Sequence, residues 1–354
     1  AALPGVEVVG AVSNGKLALQ RVRELQPDLL TLDLEMPEMG GLAVLDALRA
    51  GGESVMALVV SALTREGGQL TMRALEKGAF DFITKPDCSS AEQSLQAIQR
   101  DLAPRVRALA RRLEVRRILQ PQPATGAPPP PPKRTPSPTL PETENLGGIA
   151  GRMNRLAGLA RPELVLIGVS TGGPNALAGL LPQIPGTIGV PILIVQHMPP
   201  IFTRSLAESL APKCAIRVQE ASDGEAVLPN TAYIAPGGRQ MRLAPAQHSR
   251  MQLQITDDPP ENNCRPAVDY LFRSAATHFP GRAMGVILTG MGNDGTLGLR
   301  LLKRHGCFVI AQNEASCVVY GMPKAAVDAG VADVVLPLEA IAGRIAAAVR
   351  GGRP

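Results

Sequence analysis

The stretch LVLIGVSTGGP, residues 164–174, decides the fold class of the C-terminal half of the chain. Leu164–Val169 is an unbroken apolar run, which is typical of a strand buried on both faces of a parallel sheet. The run leads into Ser170, Thr171 and a pair of glycines, and this Gly-x-Ser-x-Gly pattern predicts a sharp strand-to-helix turn. The stretch therefore predicts a βα unit with a reactive hydroxyl at the carboxyl end of its strand.

Similar units follow along this half. The predicted strands are Leu164–Val169, Pro191–Val195, Ala232–Ala235, Met284–Leu288, Phe308–Ala311 and Val334–Leu336. The predicted helices are Asn175–Leu181, Thr203–Leu210, Val268–Thr277, Leu297–Arg304, Pro323–Ala329 and Leu338–Val349. Their alternation predicts an α/β fold with a doubly wound, Rossmann-like parallel sheet. Residues Ile216–Thr256 are richer in short strands and turns, which favours a small antiparallel insertion.

Three of the predicted strands end in side chains that can work together. Ser170 follows the first strand, His197 follows the second, and Asp294 lies just beyond Met284–Leu288. In an open α/β sheet the carboxyl ends of the strands form the ligand-binding edge. A serine hydroxyl needs an imidazole to take its proton, and a carboxylate to orient that imidazole. The sequence therefore predicts a serine hydrolase with a Ser170–His197–Asp294 triad.

The glycine-rich turns beside these residues can supply backbone N–H donors to a developing oxyanion. We expect Thr171, Gly172 and Met291 to contribute them. A non-catalytic alternative is a nucleotide- or partner-binding module, because glycine-rich strand-to-helix turns often cradle phosphates. The turn at Ser170 is not Gly-x-Gly-x-x-Gly, however, and Gln196 and His197 stand where a ribose-binding acid is expected.

The N-terminal half shows a second βα alternation. Its predicted strands are Val6–Val12, Asp28–Leu34, Val55–Ser61 and Ala79–Thr84, and its predicted helices are Lys16–Leu25, Leu42–Arg49, Gln69–Lys77 and a segment from Ala91 onward. Asp33, Ser61 and Lys85 come at three adjacent strand ends. An acid, a hydroxyl and an ammonium group in one pocket can form and hold an acyl phosphate. Asp33 is the predicted phosphoacceptor, with Ser61 and Lys85 contacting the phosphoryl group.

A proline-rich segment separates the two halves. Gln120–Pro141 contains five consecutive prolines, residues 128–132, and such a composition favours an extended linker. The predicted domains are residues 1–117, a linker at 118–147, and residues 148–354. Arginines upstream of the linker predict the solvated face of a terminal helix; they are Arg105, Arg107, Arg111, Arg112, Arg116 and Arg117.

Composition excludes several classes of function. The 354 residues carry a net charge of only +5, no Trp and 3% aromatic residues, so a nucleic-acid-binding role is not expected. No run of about 18 apolar residues predicts a membrane span, and no signal peptide is evident. Five cysteines without a Cys-x-x-Cys motif favour reduced thiols in a cytoplasmic protein, and the sequence spacing predicts no zinc site.

Several motifs, taken in order, resemble those of a known family; they are TLDLEMP (31–37), GVSTGG (168–173), VQHMP (195–199), LTGMGNDG (288–295) and VVYGMP (318–323). The N-terminal half resembles a flavodoxin-like response-regulator receiver domain. The chain as a whole resembles the chemotaxis protein-glutamate methylesterase (CheB) family.

This resemblance implies hydrolysis of glutamate methyl esters on the cytoplasmic domains of chemoreceptors, and deamidation of selected receptor glutamines. It implies that Ser170 is the nucleophile, that His197 moves the proton, and that Asp294 orients His197. No cofactor is expected for catalysis. Asp33 would take phosphate from the chemotaxis histidine kinase with Mg²⁺ held by Asp33 and the Glu35 backbone, and the unphosphorylated receiver would cover the catalytic face.

The sequence departs from the family pattern in its first residues. It opens directly before the second strand of a receiver, without the first strand and its Mg²⁺-binding acids, so inefficient phosphorylation of Asp33 is expected. Gly40 replaces a usual Asp, and Ala267 replaces a common Ser. A transcriptional regulator is a further alternative for a receiver-containing chain, but no helix-turn-helix pattern follows the linker.

Overall fold

The computed structural model describes residues 5–86, 90–119, 161–246 and 251–351, so the predicted linker lies outside the described residues. In the N-terminal half the strands are β1 (Leu29–Asp33), β2 (Met56–Ser61) and β3 (Asp81–Thr84). The helices are α1 (Gly15–Leu25), α2 (Gly41–Ala50), α3 (Arg65–Glu76) and α4 (Ala91–Leu119). The strands pair in parallel in the order β1-β2-β3. No helix of the described residues is long and apolar enough to span a bilayer.

The prediction of a strand at Val6–Val12 is wrong. This segment forms no strand, and Val8 is 82% exposed. In a flavodoxin-like sheet with strand order 2-1-3-4-5, another strand separates this segment from the one corresponding to β1. Within the described residues β1 pairs only with β2, so the segment has no neighbouring strand to complete its hydrogen bonds.

The C-terminal half is built on a larger parallel sheet. Its strands are β4 (Leu164–Val169), β5 (Ile192–Gln196), β6 (Arg217–Glu220), β7 (Thr231–Ile234), β10 (Ala283–Ile287), β11 (Phe308–Gln312) and β12 (Val334–Leu336). They form seven parallel strands in the order β12-β11-β10-β4-β5-β7-β6. The antiparallel insertion predicted over Ile216–Thr256 is confirmed for its last part, a hairpin of β8 (Gln240–Pro245) and β9 (Met251–Thr256). It is wrong for the first part, because β6 and β7 pair in parallel within the main sheet.

Helices cover both faces of this sheet. Alternate residues of β4 face opposite sides of the sheet, and both sides are apolar. Val165 and Ile167 pack into one apolar cluster, and Leu164 and Leu166 pack into another. The first face carries α5 (Gly173–Leu180), α6 (Phe202–Leu210) and α10 (Leu338–Arg350). The second carries α7 (Val268–His278), α8 (Thr296–Arg304) and α9 (Met322–Asp328). The resulting three layers confirm the doubly wound α/β prediction and direct the carboxyl ends of β4, β5 and β10 to one edge.

The N-terminal half packs against the C-terminal half through α3 and β3. The ring of Phe82 stacks on that of Phe202 with centroids 4.6 Å apart. Glu76 accepts hydrogen bonds from Ser209 and Lys213 at 2.5 and 2.6 Å. An apolar contact flanked by polar ones therefore joins the two halves in this structure.

Candidate active site

Parallel pairing brings the predicted triad residues to one sheet edge. Ser170 directly follows β4 and His197 directly follows β5, and the two strands are neighbours. The loop after β10, the neighbour of β4 on its other side, carries Asp294. Backbone hydrogen bonds hold these loops together, from Ser170 N to Thr289 O at 3.0 Å and from His197 N to Val169 O at 3.2 Å.

Asp294 and His197 form a direct pair. His197 Nε2 lies 2.8 Å from Asp294 Oδ2, and the Asp294 side chain is 3% exposed. Both carboxylate oxygens are also held by other donors, which are the backbone N–H groups of Val268, Asp269 and Gly295 and the side-chain amide of Asn262. Two of these N–H groups belong to the first turn of α7, whose dipole favours a negative charge there. Burial opposes ionisation, but His197 and these donors keep the pKa of Asp294 below its ordinary value.

Ser170 lines the same small cavity as His197, of about 50 Å³. Among the described residues no hydrogen bond joins Ser170 Oγ to the imidazole. The second ring nitrogen, Nδ1, instead lies 3.6 Å from Cys264 Sγ. The structure thus joins two members of the predicted triad directly and places the third in the same cavity.

The predicted oxyanion donors lie in the two glycine-containing loops beside Ser170, and their N–H groups are unused. In the described part of the chain, the backbone N–H groups of Thr171, Gly172 and Met291 donate to no protein acceptor. Gly172 has a φ of +76°, and a Cβ at Gly290 would lie 2.8 Å from Ser170 Cβ. Only glycine permits these two loops to approach the nucleophile so closely. The free donors are available for a developing negative charge on a bound acyl group.

Gln196 is a further residue of the site. The sequence analysis noted it only because it stands where a ribose-binding acid is expected. Its side-chain amide donates to the backbone carbonyls of Ser170 and His197, at 3.0 and 3.2 Å. The residue is 2% exposed. One amide group therefore fixes the spacing between the nucleophile loop and the base loop.

The environment of His197 favours its charged form. Burial lowers the pKa of an imidazole, but the contacts with Asp294 and Cys264 outweigh it and raise the pKa of His197 to about 9. A general base must be neutral to accept a proton. The structure therefore predicts an esterase whose kcat/KM rises with pH toward about 9.

Replacing Cys264 with alanine is expected to move this rise to lower pH. The contact with Cys264 is one of the two that raise the pKa of His197, so without it the neutral imidazole forms at lower pH. The check is the midpoint of the acid limb of kcat/KM between about pH 6 and 10. Cys214→Ala is the matched control, since Cys214 is likewise partly exposed. A midpoint that stays in place or rises would contradict the assignment.

Residues of the N-terminal half close the cavity over Ser170. Asp81 and Arg105 line it, and their side chains form an ion pair at 3.0 Å. Asp81 also shares a hydrogen bond with Thr171, and burial raises the pKa of its carboxyl group. Arg105 was predicted on a solvated face, which is wrong for this residue, because its side chain is only 27% exposed and pairs with a buried acid. A cavity of about 50 Å³ holds only a few waters, so the receiver side chains leave little room for a substrate side chain over Ser170 in this arrangement.

The predicted phosphorylation pocket is partly assembled. Lys85 Nζ lies 2.7 Å from Asp33 Oδ2, and the backbone N–H of Glu35 donates to Asp33 Oδ1. Ser61 is buried and donates to the carbonyl of Gly67 at 3.1 Å, so it does not contact Asp33 in this structure.

The Mg²⁺ site that a receiver implies is not fulfilled by these residues. Mg²⁺ requires near-octahedral oxygen ligands, usually including more than one protein group. Within the described residues, Asp33 belongs to no cluster of three potential metal-ligating side chains. The carboxylate of Asp33 and the carbonyl of Glu35 alone do not make the site.

Asn262 and Cys264 were also missed by the sequence analysis. Both lie in the loop between β9 and α7, and they meet Asp294 and His197 across 32 and 67 residues. Their only sequence signal is their place just before α7, since a helix N-terminus at a sheet edge is a place where a carboxylate is stabilised.

Comparisons with known proteins agree with this geometry. Residues 165–345 match the family model of the CheB methylesterase, and residues 2–99 match that of the response regulator receiver domain. A protein-glutamate methylesterase/protein-glutamine glutaminase of Desulfotalea psychrophila is 49% identical, over 98% of this chain and 93% of its own length. A similarly named protein of Oleidesulfovibrio alaskensis is 41% identical, over 98% and 93%.

A solved structure agrees as well. The CheB methylesterase catalytic domain of Thermotoga maritima is 43% identical and covers 53% of this chain and 98% of its own, with a TM-score of 0.51. This structure covers the half that carries Ser170, His197 and Asp294. On the family matches and on relatives that span both halves, the chain belongs to the CheB methylesterase family and carries a response regulator receiver domain at its N-terminal end.

Proposed function

We propose that the chain hydrolyses glutamate γ-methyl esters on chemoreceptors, giving glutamate and methanol in chemotactic adaptation. The observation that carries the proposal is the His197–Asp294 pair, 2.8 Å long, at the sheet edge where Ser170 ends the neighbouring strand. The names of relatives that are 49% and 41% identical over both halves support the substrate.

The contacts of the two ring nitrogens of His197 assign their roles in the mechanism. Asp294 is ionised, so His197 Nε2 carries the proton that it donates, and Nδ1 is the nitrogen left to act as base. Nδ1 takes the Ser170 proton as Oγ attacks the ester carbonyl, and the free N–H groups of Thr171, Gly172 and Met291 stabilise the oxyanion. His197 then protonates the leaving methoxide, and water releases the glutamate from Ser170 by the same steps in reverse order.

Deamidation of receptor glutamines can use the same machinery. The tetrahedral intermediate is the same apart from the leaving group, which is ammonia instead of methanol. The names of the relatives include glutaminase activity, which supports this second reaction.

Regulation involves the N-terminal half. We assign Asp33 as the acceptor of phosphate from a chemotaxis histidine kinase, on the strength of its 2.7 Å contact with Lys85 and the receiver match. We expect its phosphorylation to be inefficient, because the Mg²⁺ ligands among the described residues are incomplete. The receiver side chains over Ser170 support a closed, unphosphorylated form. Among the described residues, none of Cys214, Cys264, Cys307 and Cys317 forms a disulfide, which supports a reducing, cytoplasmic setting.

The direct test is methanol release from a methylated chemoreceptor by the purified full chain. Release that is proportional to enzyme, with methylated glutamates converted to glutamates by mass, supports the proposal. Absence of release both from the full chain and from the catalytic half, Gly147–Pro354, would refute it.

Loosening the contact between the halves is expected to raise this basal activity. Glu76→Lys replaces the acceptor for Ser209 and Lys213 with a like charge facing Lys213. The side chains of Glu76 and Lys213 are 41% and 39% exposed. Solvent therefore screens the repulsion between the two positive charges to about 1 kcal/mol or less. We expect a roughly two- to fivefold faster basal methanol release.

The matched control for this variant is Glu24→Lys, on α1. That helix packs against α2 and so lies apart from the contact between the halves. An equal gain in the control, or a loss of activity in Glu76→Lys with an unchanged melting temperature, would contradict a covering role for the receiver.

A further inference from the structure

The imidazole of His197 contacts a thiol on one side and a carboxylate on the other. Cys264 Sγ lies 3.6 Å from Nδ1, and Asp294 Oδ2 lies 2.8 Å from Nε2. Because Asp294 keeps the ring proton on Nε2, the electron pair of Nδ1 faces the thiol and can accept its proton. A thiol, an imidazole and an acid in this order make the arrangement that activates a cysteine as a nucleophile. Ester hydrolysis through Ser170 does not use this second nucleophile.

A tight turn holds the thiol against the ring. The backbone N–H of Cys264 donates to the carbonyl of Glu261 at 2.8 Å, and the N–H of Glu261 donates back at 3.1 Å. Asn262 and Asn263, between them, have left-handed φ values of +51° and +59°. The side-chain amide of Gln240 donates to the carbonyl of Cys264 at 3.4 Å. The backbone of Cys264 is therefore fixed on both sides, and the contact of its thiol with Nδ1 is a built feature of the loop.

Solvent reaches this loop. Cys264 is partly exposed, and its neighbours Asn263 and Arg265 are exposed. Cys264 is not one of the described residues that line the small cavity beneath the receiver. A small solute can therefore approach the thiol while the receiver still covers Ser170. Accessible thiols beside a base are the ones that oxidants modify first.

We propose that Cys264 is an oxidation site, at which a hydroperoxide converts the thiol to a sulfenic acid with His197 as the base, and that this modification reversibly inhibits the enzyme. The thiol proton passes to Nδ1, and an electron pair of sulfur attacks one peroxide oxygen. The O–O bond breaks, and the leaving hydroxide of hydrogen peroxide takes the proton from the ring and departs as water. Sulfur loses two electrons and the peroxide gains them.

Oxidation and inhibition rest on different grounds. Oxidation is a property of the Cys264–His197 pair alone. Inhibition rests on the proposed function, because the sulfenic hydroxyl then occupies the side of the ring at which Nδ1 must receive the Ser170 proton. Two equivalents of an external thiol restore Cys264, giving a disulfide of that thiol and water, so the inhibition is reversible.

The test treats the purified full chain with hydrogen peroxide and traps sulfenic acid with a 1,3-diketone. Mass spectrometry of the cysteine peptides then gives the rate at each site without any assay of activity. Cys214 is the internal control, because it is also partly exposed and burial raises the pKa of its thiol. His197→Gln removes the base, and Cys264→Ser and Cys214→Ser separate oxidation of Cys264 from oxidation elsewhere in the chain.

We expect Cys264 to form sulfenic acid at least about tenfold faster than Cys214, and this advantage to be lost in His197→Gln. An equal rate at the two cysteines of the wild type would overturn the site. An undiminished rate at Cys264 in His197→Gln, with an unchanged melting temperature, would overturn the role of the imidazole.

Methanol release tests the inhibition. We expect it to fall in step with oxidation of Cys264 in the wild type and in Cys214→Ser, and to recover when thiol is added. Cys264→Ser should keep its own untreated rate in peroxide. An equal loss in Cys264→Ser, or full release from enzyme that is oxidised at Cys264, would overturn the inhibition. Absence of release from the untreated wild type would count against the proposed function, whereas the trapping experiment would still decide whether Cys264 is the oxidation site.

Discussion

Replacing Ser170 with alanine is expected to lower kcat for methanol release by about 10⁴- to 10⁶-fold. In the proposed mechanism Ser170 Oγ is the protein atom that forms a covalent bond with the substrate. Without it the N–H groups of Thr171 and Gly172 still polarise the ester, but no acyl-enzyme forms. KM should change little, because the hydroxyl contributes little to binding a receptor helix.

The measurement is single-turnover methanol release together with mass spectrometry of the trapped acyl-enzyme. Ser94→Ala is a suitable control, since Ser94 is a helix residue that donates only to the carbonyl of Ser90. Both variants should unfold at the same temperature as the wild type to within a few degrees, because neither change removes buried apolar surface. A Ser170→Ala enzyme that keeps full methanol release would refute the triad.

The structure makes this experiment sharper than the sequence did. Cys264 is a second nucleophile in contact with His197, at 3.6 Å, whereas Ser170 only shares the cavity with it. If Cys264 were the attacking group, Cys264→Ala would abolish release and Ser170→Ala would not. We expect the reverse, because the loops that carry the unused N–H donors of Thr171, Gly172 and Met291 adjoin Ser170.

The sheet and its functional edge were predictable because each rests on local pattern. The apolar run of Leu164–Val169 and the turn at Ser170 are adjacent in sequence, and parallel pairing then brings other strand ends alongside. The segment Val6–Val12 is also largely apolar, yet it is exposed and forms no strand, because a strand needs a neighbour for its hydrogen bonds.

The contacts that tune the site were not predictable, because they join residues far apart in sequence. Cys264 and Asn262 reach His197 and Asp294 from a loop with no regular pattern, and their place just before α7 is the one sequence signal they carry. The prediction that Arg105 lies on a solvated face was wrong for the opposite reason. Its helix has the charge pattern of a solvated face, and only packing of the two halves buries it against Asp81.

Asp294→Asn is expected to be nearly as damaging as the loss of Ser170, with a fall in kcat of about 10⁴-fold. Oδ2 of Asp294 accepts from both His197 Nε2 and the backbone N–H of Val268, while Oδ1 accepts from Asn262 and two further N–H groups. An asparagine must place an NH₂ group among these donors. The arrangement that keeps most of them satisfied turns that NH₂ toward His197.

His197 can accommodate that NH₂ group only if Nε2 accepts a hydrogen bond from it. The imidazole proton then lies on Nδ1, which is the atom that should take the Ser170 proton. The tautomer is then wrong for catalysis, so kcat should fall while KM stays near its wild-type value. Loss of the negative charge should also lower the pKa of His197, since the contact with Asp294 helps to raise it. NMR titration of the His197 ring measures the tautomer and the pKa together, with Asp257→Asn, an exposed partner of Arg239, as the control. A kcat within tenfold of the wild type would mean that Asp294 serves the stability of the loop and not the orientation of the base.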